Sequence, residues 1–142
     1  MNTLAFAASM ENSIFANIEK LKPGCSADLH PLLEALAGFH KEFEMVLVRA
    51  KSVTDGQSMP ELDTMQLLGT DENWRVLTGV FSASSSPNAL DYAVLWSVHA
   101  MLDKSAQFYQ QAARQSVQPQ LRLFYGSLGE IKLILRRRMD GV

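Results

Sequence analysis

Apolar residues recur every three or four positions along four separate segments of the chain, which is the spacing of amphipathic α-helices. The first segment runs from about residue 3 to residue 21, and the second from about residue 28 to residue 51. The third begins at Ser86-Pro87 and the fourth at Pro119. No stretch alternates convincingly with the period of two that a half-buried strand requires. The pattern therefore predicts an all-α fold.

The second, third and fourth segments each carry one well-defined apolar seam. The seam of the second segment consists of Leu29, Leu33, Leu36, His40, Phe43, Leu47 and Ala50. The seam of the third consists of Leu95, His99, Leu102, Ala106, Tyr109 and Ala113. The seam of the fourth consists of Leu121, Tyr125, Leu128, Lys132, Leu135 and Met139. Mixed steps of three and four predict helices that pack along their length in a bundle.

The first segment fits two seams almost equally well. One consists of Leu4, Ala8, Glu11, Phe15 and Ile18, and the other of Ala7, Met10, Ile14 and Leu21. Whether Glu11 faces the core depends on this choice, which the pattern leaves open. The helix ends are better marked, because Pro23-Gly24 stops the first helix and Asp28 is a predicted N-cap of the second.

The lengths of the connections predict how the four helices are arranged. Short connections within residues 3–51 and within 86–140 favour two antiparallel helical hairpins. Residues 52–85 form a connection that is long for a plain loop. Its part from Asp71 to Phe81 is apolar enough to form a short helix that packs on the bundle. The prediction is one domain over residues 1–142, a four-helix bundle with a long crossover.

Composition and charge narrow the function only slightly. The chain has 142 residues, of which 47% are hydrophobic and 20% charged, as is usual for a folded domain. A formal net charge of -2 argues against a nucleic-acid-binding surface. The basic run Arg136-Arg137-Arg138 is interpreted as cations near a helix C-terminus, where they complement the helix dipole.

Cysteine usage and the N-terminal segment favour a cytoplasmic protein. Cys25 is the one cysteine, so an internal disulfide and a Cys-x-x-Cys motif are both excluded. The mildly apolar stretch of residues 4–10 lacks a positive flank and meets Glu11 early. It is a poor signal peptide and too short to span a bilayer, so no membrane association is expected.

Four apolar seams can each be drawn through one ionisable residue, namely Glu11, His40, His99 and Lys132. Such residues rarely occupy a core seam without a partner, because removing a charge from water is costly. Convergence of these side chains would mark either a metal site or a polar cluster that has replaced one.

The two hairpins carry further sequence features in matching places. The second has Ser105-Ala-Gln-Phe-Tyr-Gln-Gln-Ala-Ala113 followed by Gln118-Pro-Gln-Leu-Arg122. The first has the apolar repeat of residues 4–18 followed by Ala27-Asp-Leu-His-Pro-Leu-Leu-Glu-Ala-Leu-Ala37. In these features the chain resembles small rubrerythrin-like proteins of the ferritin-like superfamily, which implies a ferritin-like four-helix bundle.

The resemblance also implies where a di-iron centre would be bound. In that family each hairpin supplies one glutamate from its first helix and a Glu-x-x-His pair from its second. The matching positions here hold Glu11, His40, Phe43, Leu102, Lys132 and Leu135. Most of these side chains cannot bind a cation, so the usual di-iron centre is expected to be absent and no cofactor is expected.

The replacement of most metal-binding side chains is compatible with two functions from different classes. The first is a non-catalytic structural, interaction or small-ligand-binding module, in which the Lys132 ammonium neutralises Glu11 and His40 bonds the same carboxylate. The second is a metal-binding or redox protein with iron or another transition metal in a non-standard site. That site would use Glu11, His40, Glu44, His99 and Asp103. If the chain is an enzyme, the resemblance implies an oxidoreductase.

Other interpretations of the same residues remain open. The pairs His40/Glu44 and His99/Asp103 are each one helical turn apart, a spacing that is also common on helix surfaces without any metal. A phosphotransfer role for His40 needs an exposed imidazole, whereas its seam position favours burial. Trp74, Trp96 and Tyr92 are interpreted as anchors of the crossover or of an oligomer contact. The resemblance implies self-association as a dimer.

Overall fold

The computed structural model describes residues 2–53, 59, 62, 67–82 and 89–139, and within this part the chain is helical and contains no strand. The described residues contain five long α-helices, which are α1 Thr3–Leu21, α2 His30–Lys51, α3 Asp71–Ser82, α4 Ala89–Gln115 and α5 Pro119–Met139. The predicted all-α class is confirmed. The predicted start of the third long helix, Ser86-Pro87, lies outside the described residues.

Helices α1 and α2 pack against each other, and α4 packs against α5. Glu11 of α1 meets His40 of α2, whereas Lys22, just beyond α1, meets Glu34. The partner numbers fall as the α1 numbers rise, so these two helices run in opposite directions. Asp103 pairs with Arg136, and Gly129 lies against Tyr109. The same argument therefore makes α4 and α5 run in opposite directions.

The predicted apolar seams of α2 and α5 agree closely with the observed burial. All seven predicted seam residues of α2 are buried, and the helix also buries Leu32, Ala37, Phe39 and Val46. In α5 the predicted seam is buried from Tyr125 to Met139, and only Leu121 is partly exposed. These two helices supply His40 and Lys132 to the core.

The predicted seams of α1 and α4 need correction. In α1 the buried residues are Ala7, Glu11, Ile14 and Ile18, which combines members of both predicted seams. In α4 the buried face begins with Asp91, Val94 and Val98 and reaches the predicted seam only at Leu102. Leu95 and His99 are half-buried beside it. Thus the N-terminal half of the α4 prediction was displaced by one residue.

The connection from α1 to α2 differs from its prediction. Two short 3-10 turns, Lys22–Gly24 and Ala27–Leu29, join the helices. Asp28 is exposed within the second turn and does not cap α2, which has no side-chain cap hydrogen bond. The prediction of an Asp28 cap was wrong, because the 3-10 turn continues directly into α2.

Helix α3 confirms the short helix predicted in the long connection. Trp74 is buried, and its indole N–H donates a hydrogen bond to the backbone carbonyl of Leu68. The helix contacts α2, α5 and the turn before α2. Trp74 therefore anchors this segment to the core, which is one of the two roles predicted for it. In the described part of the chain, no helix has the length and hydropathy needed to cross a membrane.

Candidate functional site

Three ionisable side chains from three helices meet inside the core. The Lys132 Nζ lies 2.6 Å from Oε1 and 2.8 Å from Oε2 of Glu11. The His40 Nδ1 lies 3.1 Å from Glu11 Oε2 and 3.0 Å from Lys132 Nζ. Each of the three residues has an exposed fraction of 0%. The structure thus brings Glu11, His40 and Lys132 together, in the arrangement that the sequence analysis described.

The cluster lies among aromatic rings. Lys132 Nζ is 5.3 Å from the centroid of Phe39 and 4.7 Å from that of Phe43. An ammonium at these distances is attracted by the negative faces of the rings, and more strongly where water is absent. Phe43 contacts Tyr109 edge-to-face, with centroids 5.6 Å apart. In the resemblance given above, Phe43 matches a metal-binding histidine. Here that position holds an aromatic ring beside the Lys132 cation.

Burial and mutual contact shift the pKa of each of the three ionisable groups. Burial raises the pKa of Glu11, but the Lys132 charge and the His40 contacts outweigh it and leave this pKa below its usual value. Burial lowers the pKa of Lys132, and Glu11 opposes that change. Burial and the Lys132 charge lower the pKa of His40 to about 4 despite the adjacent carboxylate. Near neutral pH the imidazole is therefore uncharged.

The imidazole cannot satisfy both of its contacts in one tautomer. If Nδ1 carries the proton, it donates to Glu11 and cannot accept from Lys132. If Nδ1 is unprotonated, it accepts from the ammonium and has no proton for the carboxylate. The other ring nitrogen, Nε2, is buried without a hydrogen-bond partner among the described residues. The cluster is thus paired in charge but not fully satisfied in hydrogen bonds.

Tyr109 is the fourth polar group beside the cluster. Burial and the charge of Glu11 raise the pKa of the Tyr109 hydroxyl well above its usual value. The hydroxyl has no partner with ordinary hydrogen-bond geometry among the described residues. A neutral Tyr109 therefore places an O–H group near the Glu11 carboxylate.

The five residues of the alternative metal site are not assembled. Glu11 and His40 meet, but Asp103 is paired with Arg136 and also accepts a hydrogen bond of 3.0 Å from Gln107. Glu44 lies beside Lys41, and His99 is half-buried on α4. Across residues 2–53, 67–82 and 89–139, no three His, Cys, Asp or Glu side chains converge to hold a metal ion. The displaced face of α4 is the reason that His99 leaves the core seam.

One buried charged residue was missed by the sequence analysis. Asp91 has an exposed fraction of 0%, and its Oδ1 accepts a hydrogen bond of 2.9 Å from the backbone N–H of Ser26. The pKa of Cys25 is raised chiefly by burial of its thiol and, in addition, by the negative charge of Asp91. The available signal was a second α4 seam, in which Asp91 precedes Val94 and Val98 by three and seven positions.

Comparison with known proteins adds no relative. No family model matches the chain, and neither a curated protein nor a solved structure matches it.

Proposed function

We propose that this protein is a rubrerythrin-like member of the ferritin-like superfamily that has lost its di-iron centre. In this proposal it acts as a non-catalytic structural, interaction or small-ligand-binding module. The observation that carries the proposal is the buried Lys132 ammonium, which lies within hydrogen-bonding distance of both Glu11 and His40. A cation supplied by the chain itself is present at the level where the family would bind iron.

The contacts between α1 and α4 support a ferritin-like bundle with a crossover. Phe6 near the start of α1 packs on Phe108 near the end of α4, with ring centroids 5.1 Å apart. At the other end, Ser26 is bonded to Asp91 at the start of α4. These contacts make α1 and α4 opposite in direction, so α2 and α4 point the same way. A chain joining two such helices has to return along the bundle, as a crossover does.

The charge at the matching positions supports the loss of iron. Two divalent cations need several anionic ligands to offset the cost of leaving water. Phe43, Leu102 and Leu135 are buried hydrocarbon side chains, and Lys132 brings a positive charge. Glu11 is the one carboxylate retained among the six positions. Its charge is already neutralised by the ammonium, so an iron ion would have to displace Lys132.

The cluster is suited to specifying how the helices pack. A buried ion pair gains little net free energy, because its attraction is largely cancelled by the loss of hydration. A slipped arrangement of α1, α2 or α5 would separate the charges and leave each one unpaired in the core. The cluster therefore penalises alternative packings more than it stabilises the native one.

Metal analysis of the native chain tests the proposal. Protein expressed with added iron, zinc and manganese, and purified without chelators, should contain far less than one metal ion per chain. Its unfolding temperature should not change when a chelator is added, and Fe(II) with oxygen should give no new absorption band. The matched variant is His40→Ala. Stoichiometric metal in the native chain that is lost from His40→Ala would overturn the proposal and establish the alternative His/carboxylate redox site.

Self-association belongs to the same proposal. Trp96 is 80% exposed and Tyr92, one helical turn earlier on α4, is 59% exposed. Large aromatic side chains are enriched at protein–protein contacts, where they bury much area at little entropic cost. We therefore assign this face of α4, defined by Tyr92 and Trp96, to the dimer contact.

A further inference from the structure

The contacts of Lys132 are those of a nucleophile beside a carboxyl group. Its Nζ lies within 2.8 Å of both Glu11 oxygens, so the amine is next to the carboxyl carbon Cδ that joins them. One ring nitrogen, His40 Nδ1, lies 3.0 Å from that amine and 3.1 Å from Glu11 Oε2. A single group can thus take a proton from the nitrogen and deliver it to the oxygen.

We propose that Lys132 and Glu11 condense within the folded chain to form a side-chain amide that joins α1 to α5. The two residues are 121 positions apart, so the bond would tie the first helix to the last. This inference rests on the structural function proposed above, because it makes the cluster a covalent cross-link between helices.

The condensation needs no co-reactant. The ammonium first passes one proton to Glu11 Oε2, which leaves a neutral amine and a carboxylic acid. The amine attacks Cδ, and the Nζ–Cδ bond forms. His40 Nδ1 accepts a second proton from the nitrogen and transfers it to the hydroxyl, whose bond to Cδ then breaks. An ammonium and a carboxylate are consumed, and one amide and one water molecule are produced.

The surroundings favour these steps over the ion pair. In water the separate charges are well hydrated, which opposes amide formation, but here all three groups are fully buried. Fixed positions also replace a bimolecular encounter by an intramolecular reaction. The Tyr109 hydroxyl, close to Glu11 and without a regular partner, can donate to the oxyanion that develops on Cδ.

Peptide mapping of the native protein tests the cross-link. After denaturation and trypsin digestion, the peptide containing Glu11 and the peptide containing Lys132 should appear as one branched species, lighter than their sum by one water. Trypsin should not cleave after Lys132 in that species. Loss of water from the intact mass is insufficient, because Asp55-Gly56 and Asp140-Gly141 can also lose water as succinimides.

The chain contains its own matched control. Lys22 lies 3.5 Å from Glu19 and 3.9 Å from Glu34, but these side chains are partly exposed to solvent. Because trypsin does not cleave the Lys22–Pro23 bond, Lys22 is assessed by tandem mass spectrometry of its tryptic peptide, which should show an unmodified lysine side chain. An amide between Lys22 and either Glu19 or Glu34 would show non-specific condensation and would overturn the argument from burial.

Two variants separate the parts of the inference. Lys132→Arg keeps a cation but removes the nucleophilic amine, so the branched peptide should be absent. His40→Ala should reduce the cross-linked fraction of freshly purified protein at least tenfold. An undiminished fraction in His40→Ala would overturn the proton-carrier assignment. Full tryptic cleavage after Lys132 in the native protein would overturn the cross-link itself, whether or not either variant folds. That result would leave the proposed function standing, since only the metal analysis decides it.

Discussion

At the scale of single residues, the sharpest consequence of the structure is the dependence of Glu11 on Lys132. In the ion-paired chain, Lys132→Met would leave the Glu11 carboxylate buried without a counter-charge. We expect a loss of about 3–5 kcal/mol in the free energy of unfolding, measured by urea denaturation. The double variant Glu11→Leu/Lys132→Met should recover most of that loss, since it removes both charges.

The control for this measurement is Lys22→Met. Lys22 makes only partly exposed ion pairs, so its substitution should change the free energy of unfolding by about 0.5 kcal/mol or less. A double variant as unstable as Lys132→Met alone would contradict the account, because the defect would then lie in packing and not in an unpaired charge.

The lowered pKa of His40 predicts a dependence of stability on pH. Its folded pKa is about 4 and its unfolded reference is 6.5, so the unfolded state binds more protons between these values. Stability from this residue is therefore complete above pH 6.5 and is lost as the pH falls toward 4, in total on the order of 3 kcal/mol. The free energy of unfolding, measured by urea denaturation at a series of pH values, should fall between pH 6.5 and pH 4. This fall should be absent in His40→Leu.

The lowered pKa of Glu11 acts in the same direction at lower pH. A carboxylate with a depressed folded pKa contributes stability that is present above its unfolded pKa and is lost as the pH falls through its folded pKa. A chain in which Glu11 has formed an amide has no such group, so its acid unfolding should lack this contribution. If the chain with the Glu11 amide and the chain without it unfolded identically in acid, the ionised state assigned to Glu11 would be contradicted.

At the scale of elements, Asp91 explains why α4 differs from its predicted orientation. Its buried carboxylate bonds the Ser26 N–H and so couples the start of α4 to the connection between α1 and α2. We expect Asp91→Ala to cost about 1–3 kcal/mol in the free energy of unfolding, because a buried donor loses its acceptor. Asp91→Asn retains an acceptor oxygen and should recover part of the loss.

Asp28→Ala is the matched control for Asp91. Asp28 is exposed and caps no helix, so its removal should alter the free energy of unfolding by about 0.5 kcal/mol or less. A larger effect from Asp28 than from Asp91 would mean that the sequence-based N-cap assignment was right after all.

The contrast between α2 and α4 explains how much of the fold the sequence could predict. In α2 apolar positions coincide with the core at every turn, so one pattern determined both the helix and its buried face. In α4 Leu95 competes with Val94 and Val98, and a polar residue, Asp91, lies on the buried side. The decision between the two seams depends on Ser26, which is distant in sequence. Periodicity placed His40 and Lys132 on core seams but left the orientation of Glu11 open. It also could not identify a carboxylate whose partner is a backbone N–H.

At the scale of the whole molecule, the exposed aromatic face of α4 makes self-association testable. Tyr92 and Trp96 lie on one face, and burying them in a dimer would remove a large apolar area from water. We expect Trp96→Lys to shift the sedimentation velocity profile from dimer to monomer. Val117→Lys is the control, because Val117 is 92% exposed in the turn between α4 and α5. A monomeric native chain, or equal dissociation by both variants, would contradict the assignment.

The buried thiol of Cys25 can report when the connection between α1 and α2 opens. The residue is 9% exposed, and its thiol donates a hydrogen bond to the Leu21 carbonyl. Burial and, to a smaller extent, the Asp91 charge raise the pKa of the thiol. Alkylation needs an accessible thiolate, so a reagent such as iodoacetamide should react mainly when the connection between α1 and α2 opens locally. Labelling kinetics of the unmodified chain would therefore measure the opening rate of the connection between α1 and α2 without an introduced probe.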